Sequence, residues 1–110
     1  MKQGEIWMAD LNPVIGSEQQ GIRPVVVISG NAMNNNLDIS IVCPLTKVVK
    51  NYAGCLVIKK DQLNGLETDS EVITFQVRTI SQNRLMTRLG RITGKQLELI
   101  KKGLGEVLTY

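Results

Sequence analysis

The stretch GSEQQGIRPVVVIS (Gly16–Ser29) joins a polar, glycine-bounded loop to an apolar run. The run Val25–Ile28 is short and rich in β-branched residues, which is typical of a buried strand. Pro24 has no amide hydrogen to donate, so we expect it at the first residue of this strand or on a sheet edge. Proline also disfavours helical backbone at the preceding residue. The pattern therefore predicts an extended Arg23 at the mouth of the strand.

Further strands are predicted on both sides of this stretch, where alternating or apolar runs are bounded by turn residues. They cover Glu5–Leu11, Ile39–Leu45, Cys55–Ile58, Glu71–Thr79 and Arg84–Ile92. The asparagine-rich segment Gly30–Asp38 is expected to be a turn or loop. Short strands with frequent turns between them predict a small barrel or sandwich.

A helix is predicted after Thr93, because Thr93 and Gln96 fit a capping box. Apolar residues then recur at helical spacing, and these are Leu97, Ile100, Leu104, Val107 and Leu108. Gly103 and Gly105 each weaken such a helix by roughly 1 kcal/mol, so it must be stabilised by packing. We therefore predict a mainly β fold with a C-terminal helix.

Length and composition limit the functions to consider. A chain of 110 residues is most simply one domain, residues 1–110. The N-terminus lacks the apolar core of a signal peptide, and no apolar run reaches the ~18 residues of a membrane span, so we expect a cytoplasmic protein that does not enter a membrane. Cys43 and Cys55 match no metal-binding spacing, and the chain has no histidine. We expect the cysteines to be small buried hydrophobes, and we expect no metal and no cofactor.

Charge is unevenly distributed along the chain, whose net charge is +3. Between residues 78 and 102 Glu98 is the one acid, against seven basic residues: Arg78, Arg84, Arg88, Arg91, Lys95, Lys101 and Lys102. A basic face of this kind is typical of contact with a polyanion, and a solvated surface is the alternative.

Several polar residues near predicted strand ends or turns suit a phosphodiester substrate. They are Ser17, Glu18, Arg23, Thr46, Gln76, Arg78 and Thr79. A guanidinium donates two parallel hydrogen bonds to phosphate oxygens and keeps its charge. RNA carries its own nucleophile, the 2′-hydroxyl, and Glu18 is the carboxylate of this set that is able to accept its proton. The residues therefore favour RNA cleavage through Arg23, Thr46 and Glu18.

Each of these residues also has a structural explanation, which the sequence leaves open. Glu18 and Arg23 would fix the loop if they paired with each other. Thr46 would cap a turn, and Gln76 would satisfy backbone groups. Arg78 would pair with an acid of the cluster at residues 67–71.

Three motifs, GEIWMADLNPVIGSEQQGIRPVVVIS, CPLT and QVRTIS, closely resemble the MazF/PemK family of toxin endoribonucleases. The resemblance extends from Gly4 to about Leu89. It implies a small SH3-like β-barrel of the CcdB/MazF type, in a homodimer that cleaves single-stranded RNA at short sequences without a metal. The implied products carry a 2′,3′-cyclic phosphate and a 5′-hydroxyl. It also implies an antitoxin whose extended, acidic tail covers the RNA site, with operator DNA bound only through that antitoxin.

The same resemblance assigns roles to single residues. Arg23 matches the catalytic arginine, and Thr46 matches the catalytic threonine. Glu18 matches a position that lines the RNA groove, and its carboxylate adds it to the expected catalytic set. The residues expected to bind RNA are Ser17, Gln20, Phe75, Gln76, Arg78 and Thr79. One branch of the family has a histidine at Ser17, and another has an aspartate at Phe75, so the branch that relies on arginine and threonine fits better. Phe75 is then expected either to stack on a base or to lie in the core.

Two other functions are compatible with such a sequence. A related family with this fold poisons DNA gyrase by protein contact, but its usual C-terminus differs from the ending EVLTY (106–110) found here. An RNA-binding module without catalysis would bind RNA with a steep dependence on salt and leave it intact.

Overall fold

The computed structural model describes residues 1–13, 15–19 and 21–110. Its strands are β1 (Glu5–Asp10), β2 (Ile22–Val27), β3 (Ile39–Thr46), β4 (Leu56–Ile58), β5 (Ser70–Val72), β6 (Arg78–Ser81) and β7 (Leu85–Arg91). Its helices are α1 (Asn31–Asn36) and α2 (Gly94–Thr109), with short 3-10 turns at Thr74–Gln76 and Gln82–Arg84. The predicted mainly β fold with a C-terminal helix is confirmed.

Strand β3 organises the sheet, in which all the paired strands are antiparallel. The strand order is β4-β5-β3-β2-β1-β7, and β6 also pairs with β3. On one edge, Ile39–Val42 pairs with β6 and Leu45–Thr46 pairs with β5. Pro44 lies at the changeover, and its carbonyl accepts a hydrogen bond from the Ile73 amide at 2.9 Å. Among the described strands β4 and β7 remain at opposite ends, so the sheet is not a closed ring.

The central strands are buried on both faces, which explains the nearly continuous apolar run of β2. Val26 packs into one core layer with Ile6, Cys43, Leu45, Ile58, Leu66, Val72, Ile92 and Ile100. Val25 and Val27 pack into a second layer with Ala9, Leu11, Val42, Ile80 and Leu85. Because Ile100 belongs to α2, the helix covers the first layer, as its apolar stripe predicts.

The N-terminus of α2 has the predicted capping box. The Gln96 amide donates to Thr93 Oγ1 at 3.1 Å, and the Thr93 amide donates to Gln96 Oε1 at 2.9 Å. Of the predicted stripe, Ile100 is buried, but Leu108 is exposed, so its assignment to the apolar stripe is wrong. The stripe continues to the half-buried Val107, which lies beside Gly54, and its last member Leu108 projects into solvent at the end of the helix.

Three local predictions are wrong, two of them on secondary structure and one on the position of Pro24. Segment Gly30–Asp38 contains α1, which is stabilised because buried Asn34 accepts a hydrogen bond from the Ser40 hydroxyl at 2.8 Å. The single strand predicted over Glu71–Thr79 is broken at a 3-10 turn, where the buried Thr74 hydroxyl donates to the carbonyl of Gly54 at 2.8 Å.

Pro24 is the third residue of β2 rather than the first, and β2 is not an edge strand. The position is tolerated because the pairing of β2 with β3 begins only at Val25. Separately, none of the helices in the described ranges has the length and apolar character needed to cross a bilayer.

Gly103 marks a close contact between α2 and the loop that precedes β4. A Cβ atom added at Gly103 would lie 2.1 Å from the carbonyl oxygen of Gly54, whereas one added at Gly105 would meet nothing within 4 Å. Packing against Gly54 therefore requires glycine at position 103, whereas no such contact requires it at position 105.

We predict that Gly103→Ala lowers the free energy of unfolding by about 1–3 kcal/mol, because the methyl group overpacks the contact. Gly105→Ala on the same helix is the matched control, and it should raise stability by about 0.5–1 kcal/mol. Urea denaturation of both variants checks this, and equal stabilisation by the two substitutions would contradict it.

Candidate functional site

Arg23 and Thr46 lie at the ends of neighbouring strands. The paired register of β2 and β3 runs from Val27 opposite Val42 to Val25 opposite Pro44. Arg23 is two residues before Val25 and Thr46 is two residues after Pro44, so both lie just beyond the end of that pairing. Both residues line a cleft of about 620 Å³, and both are half-buried. Two residues far apart in sequence thus share one site.

The hydroxyl of Thr46 holds the turn that follows this residue. This is the structural role of Thr46 that the sequence left open. Thr46 Oγ1 accepts a hydrogen bond from the Val48 amide at 3.2 Å. A hydroxyl that accepts this bond still has its own proton to donate. The turn therefore fixes the direction of the Thr46 side chain and leaves a donor for a ligand.

The buried carboxylate of Glu71 fixes the next part of this loop. Glu71 is fully buried on β5, where it pairs with Thr46 of β3. Its oxygens accept hydrogen bonds from the amides of Lys50 at 2.8 Å, Asn51 at 3.2 Å and Tyr52 at 2.8 Å. Asn51 has φ of 55°, a left-handed conformation that asparagine tolerates and that turns successive amides toward one anion.

Sequence reasoning missed this role, because it placed Glu71 with the neighbouring surface acids. The available signal was position: Glu71 stands beside Val72 and Ile73, at the start of an apolar run. An acid at the start of a buried strand needs hydrogen-bond donors, and these come from the loop.

A second cleft, of about 380 Å³, collects most of the other predicted residues. It is lined by Leu11, Ser17, Glu18, Gln19, Pro44, Phe75, Gln76, Val77 and Arg78. Gln76 accepts from the Gln19 amide at 2.7 Å and donates to the Ser17 carbonyl at 3.2 Å. The structural explanation of Gln76, that it satisfies backbone groups, is therefore confirmed. The Glu18 carboxylate accepts from the Ile15 amide at 2.7 Å, so it also shapes this loop.

The predicted site residues are divided between the two clefts, and the first cleft also contains an acid that was not predicted. Glu18 lies in the second cleft, whereas Glu67 is the one carboxylate among the described residues that line the first. Thr79 is exposed on β6 and is not among the described residues that line either cleft. Gln20 lies outside the described residues.

The basic residues of segment 78–102 are spread over β6, β7 and α2, and several bind the protein itself. Arg78 donates to the Leu11 carbonyl at 3.4 Å, and Arg84 donates to the Asp10 carbonyl at 3.1 Å and also to that of Asn12. Further along the segment, Arg88 pairs with Glu5 at 2.8 Å and Lys101 pairs with Glu98 at 3.6 Å. Arg78 was expected to pair with an acid of residues 67–71. The structure instead shows its hydrogen bond to the carbonyl of Leu11, just after β1.

Phe75 is 46% exposed, so its assignment to the core is wrong. Its ring meets that of Tyr52 nearly at a right angle, with 5.2 Å between the centroids. Phe75 lies in the 3-10 turn at Thr74–Gln76 rather than in a continuous strand, and this turn directs its side chain outward.

Cys43 is buried as predicted and offers no alternative nucleophile, whereas Cys55 is only half-buried, so its assignment as a buried residue is wrong. Burial, with a smaller contribution from Cys55, raises the pKa of the Cys43 thiol to about 12. A thiol with such a pKa is protonated at neutral pH and inert. In the part of the chain that is described, no group of three or more cysteine or acidic side chains is placed to hold a metal ion.

Comparison with known proteins gives one family. The sequence model of the family described as PemK-like, MazF-like toxin of type II toxin–antitoxin system matches residues 2–108. The chain is 31% identical to endoribonuclease EndoA of Bacillus subtilis, over 94% of this chain and 90% of that protein. It is 33% identical to endoribonuclease MazF of Staphylococcus saprophyticus, over 94% of this chain and 88% of that protein.

A solved structure agrees with the fold. MazF from Deinococcus radiodurans superimposes with a TM-score of 0.86 at 22% identity, over 100% of this chain and 97% of that one. The predicted CcdB/MazF-type fold is therefore confirmed.

We predict that Glu71→Gln lowers the free energy of unfolding by about 1–3 kcal/mol, because the new amide group turns a donor toward backbone donors. Glu67→Gln, on the exposed turn before β5, is the control and should change stability by less than about 0.5 kcal/mol. Urea denaturation checks both, and faster amide hydrogen exchange at residues 50–52 in Glu71→Gln would locate the effect. Equal stability of the two variants would contradict the anchoring role.

Proposed function

The chain belongs to the PemK-like, MazF-like family of toxins of type II toxin–antitoxin systems, and we propose that it is an endoribonuclease whose cleavage centre is the cleft of Arg23 and Thr46. The observation that carries this proposal is that both residues line one cleft. Two relatives that match over most of their length are named endoribonucleases, which supports the same activity here.

The proposed reaction uses the nucleophile of the substrate. The RNA 2′-hydroxyl attacks the adjacent phosphorus, the bond to the 5′-oxygen breaks, and the products are a 2′,3′-cyclic phosphate and a 5′-hydroxyl. The proton of the 2′-hydroxyl passes to a base, and the departing 5′-oxygen takes up a proton. Negative charge grows on the phosphate oxygens, where the Arg23 guanidinium and the Thr46 hydroxyl donate hydrogen bonds. One such preorganised donor is worth about 10²–10³ in rate.

The base in this scheme is a carboxylate, for which the chain offers two candidates. Glu18 is the candidate that we favour, since its loop leads directly into Arg23 and is fixed by Gln76. Glu67 is the alternative, since it lines the same cleft as Thr46. Each is able to accept the proton of the 2′-hydroxyl without a metal ion.

The proposed substrate is single-stranded RNA, because duplex RNA presents its base edges in a groove too deep and narrow for side chains. Ser17, Gln20, Phe75, Gln76, Arg78 and Thr79 are the residues that we propose for RNA binding. A toxin of a type II system has an antitoxin as partner. We propose that an extended acidic tail of that antitoxin covers the clefts, that operator DNA is bound only through the antitoxin, and that the toxin acts as a homodimer in the cytoplasm.

We predict that Arg23→Ala and Thr46→Val each lower kcat for cleavage of a mixed single-stranded RNA pool by about 10²-fold or more. Thr46→Ser should keep most of the activity, because serine retains both the donor and the acceptor for the Val48 amide. Arg91→Ala, an exposed arginine on β7, controls for loss of charge alone. The assay is run in EDTA, and sequencing of the cleaved ends gives the site and the end groups.

Full activity in Arg23→Ala or Thr46→Val would contradict the assignment of that residue. Intact RNA with the wild-type protein would contradict the enzymatic function. The gyrase-poisoning and RNA-binding alternatives would then be separated by a gyrase cleavage assay and by the salt dependence of RNA binding.

The two carboxylates are distinguished by the loss of activity on substitution. We predict that Glu18→Gln lowers kcat by about 10²–10⁴-fold, as expected for loss of a general base. Glu67→Gln is the matched control and should keep most of the activity. A larger loss in Glu67→Gln than in Glu18→Gln would transfer the role to Glu67.

A further inference from the structure

Two of the four aromatic residues of this chain meet at its surface. Tyr52 and Phe75 are 42% and 46% exposed, and their ring centroids are 5.2 Å apart at an interplanar angle of 87°. In a perpendicular pair one ring presents its edge to the face of the other, so this contact leaves ring faces open. Two half-exposed rings in contact offer a surface on which a flat ligand is able to stack.

The backbone behind both rings is fixed by buried side chains. The amide of Tyr52 donates to the fully buried Glu71 at 2.8 Å. Beside Phe75, the buried Thr74 hydroxyl donates to the carbonyl of Gly54 at 2.8 Å, which ties the 3-10 turn to the loop of Tyr52. The backbone that carries the two rings is therefore fixed before a ligand arrives, which lowers the entropic cost of binding.

The surroundings of the pair are polar and basic. Phe75 lines the second cleft together with Ser17, Gln76 and Arg78. Lys47 and Lys50 are exposed on the loop that runs from Thr46 to Tyr52. Open aromatic faces among cations and amides suit a nucleobase and its flanking phosphates better than an apolar protein surface, since bases stack while the cations meet phosphate.

We propose that Tyr52 and Phe75 form a two-ring platform on which one unpaired base of the RNA substrate stacks. This inference rests on the proposed endoribonuclease function and adds a binding position to it. Glu71 acts as a positioning residue, since it holds Tyr52 through the backbone and does not itself reach the ligand. Because every base has a stacking face, the platform contributes affinity at one nucleotide without reading its hydrogen-bonding edge.

The test is a double-mutant cycle for RNA binding, in which an aromatic ring of the protein and a base of the RNA are removed separately and together. The probe is a single-stranded oligoribonucleotide that contains the cleavage site mapped with the wild-type protein. A 2′-deoxy sugar at the scissile nucleotide removes the nucleophile, so that binding is measured without cleavage. A second set of oligonucleotides carries one abasic position each, scanned along the site.

We expect Phe75→Ala and Tyr52→Ala each to raise Kd for the intact probe by about 5- to 150-fold, the range reported for loss of one aromatic–base stack. Tyr52→Phe keeps the ring and should bind like wild type. Leu99→Ala removes a residue of comparable exposure from α2 and is the control for loss of apolar surface. Thermal melting of each variant checks that the fold is intact.

The decisive outcome is at one abasic position. Removal of the stacked base should weaken wild-type binding as much as Phe75→Ala does, and should have no further effect in Phe75→Ala. Equal Kd values for wild type and Phe75→Ala, or an abasic penalty that persists in full in this variant, would overturn the platform. Wild-type cleavage in EDTA together with either of these results would leave the proposed enzyme in place, whereas an absence of wild-type RNA binding would overturn both.

Discussion

One buried carboxylate determines how the site is built. Glu71 is removed from water on β5, and its carboxylate accepts hydrogen bonds from three backbone amides of a single loop. Hydrogen bonds to a charged group contribute about 1.5–3 kcal/mol each, and an ionised carboxylate left without them in the core would be strongly unfavourable. The loop after Thr46 therefore folds around Glu71, and this constraint carries Tyr52 toward Phe75.

The loop before Arg23 is held by the same kind of bond, a side chain that binds backbone groups. Gln76 binds the segment around Glu18, while Arg78 and Arg84 bind the carbonyls at the end of β1. These contacts come from β6 and the turns on either side of it. The described residues 15–19 of this polar loop are thus bound to the rest of the protein, although none of them is buried. Preorganisation of this kind is what the proposed cleavage centre requires, because a donor accelerates a reaction only when it is already aimed at the developing charge.

The sequence was most informative where periodicity and chemistry agreed. The run Val25–Ile28, the alternation of β1 and the capping box at Thr93 each predicted the observed element, because local pattern and tertiary burial favoured the same structure. The motifs around Arg23 and Thr46 also led to residues that share a cleft. The break in the strand predicted over Glu71–Thr79 was not predictable in this way, since it depends on a hydrogen bond between Thr74 and the distant Gly54. Helix α1 was missed for the same reason, because its asparagines disfavour a helix locally and the buried hydrogen bonds of Asn34 that stabilise it join it to Ser29 and Ser40.

The contact between Gly54 and Gly103 has an evolutionary consequence. At Gly103 the space for a side chain is already filled by the main chain of Gly54, whereas a Cβ atom at Gly54 would first meet the side chain of Val107, at 2.7 Å. A substitution of Gly103 has no compensating partner, because Gly54 has no side chain to shorten. Relief would require the backbone itself to move, and the loop concerned also carries Tyr52. Gly103 should therefore be retained during evolution, even though it has no functional group.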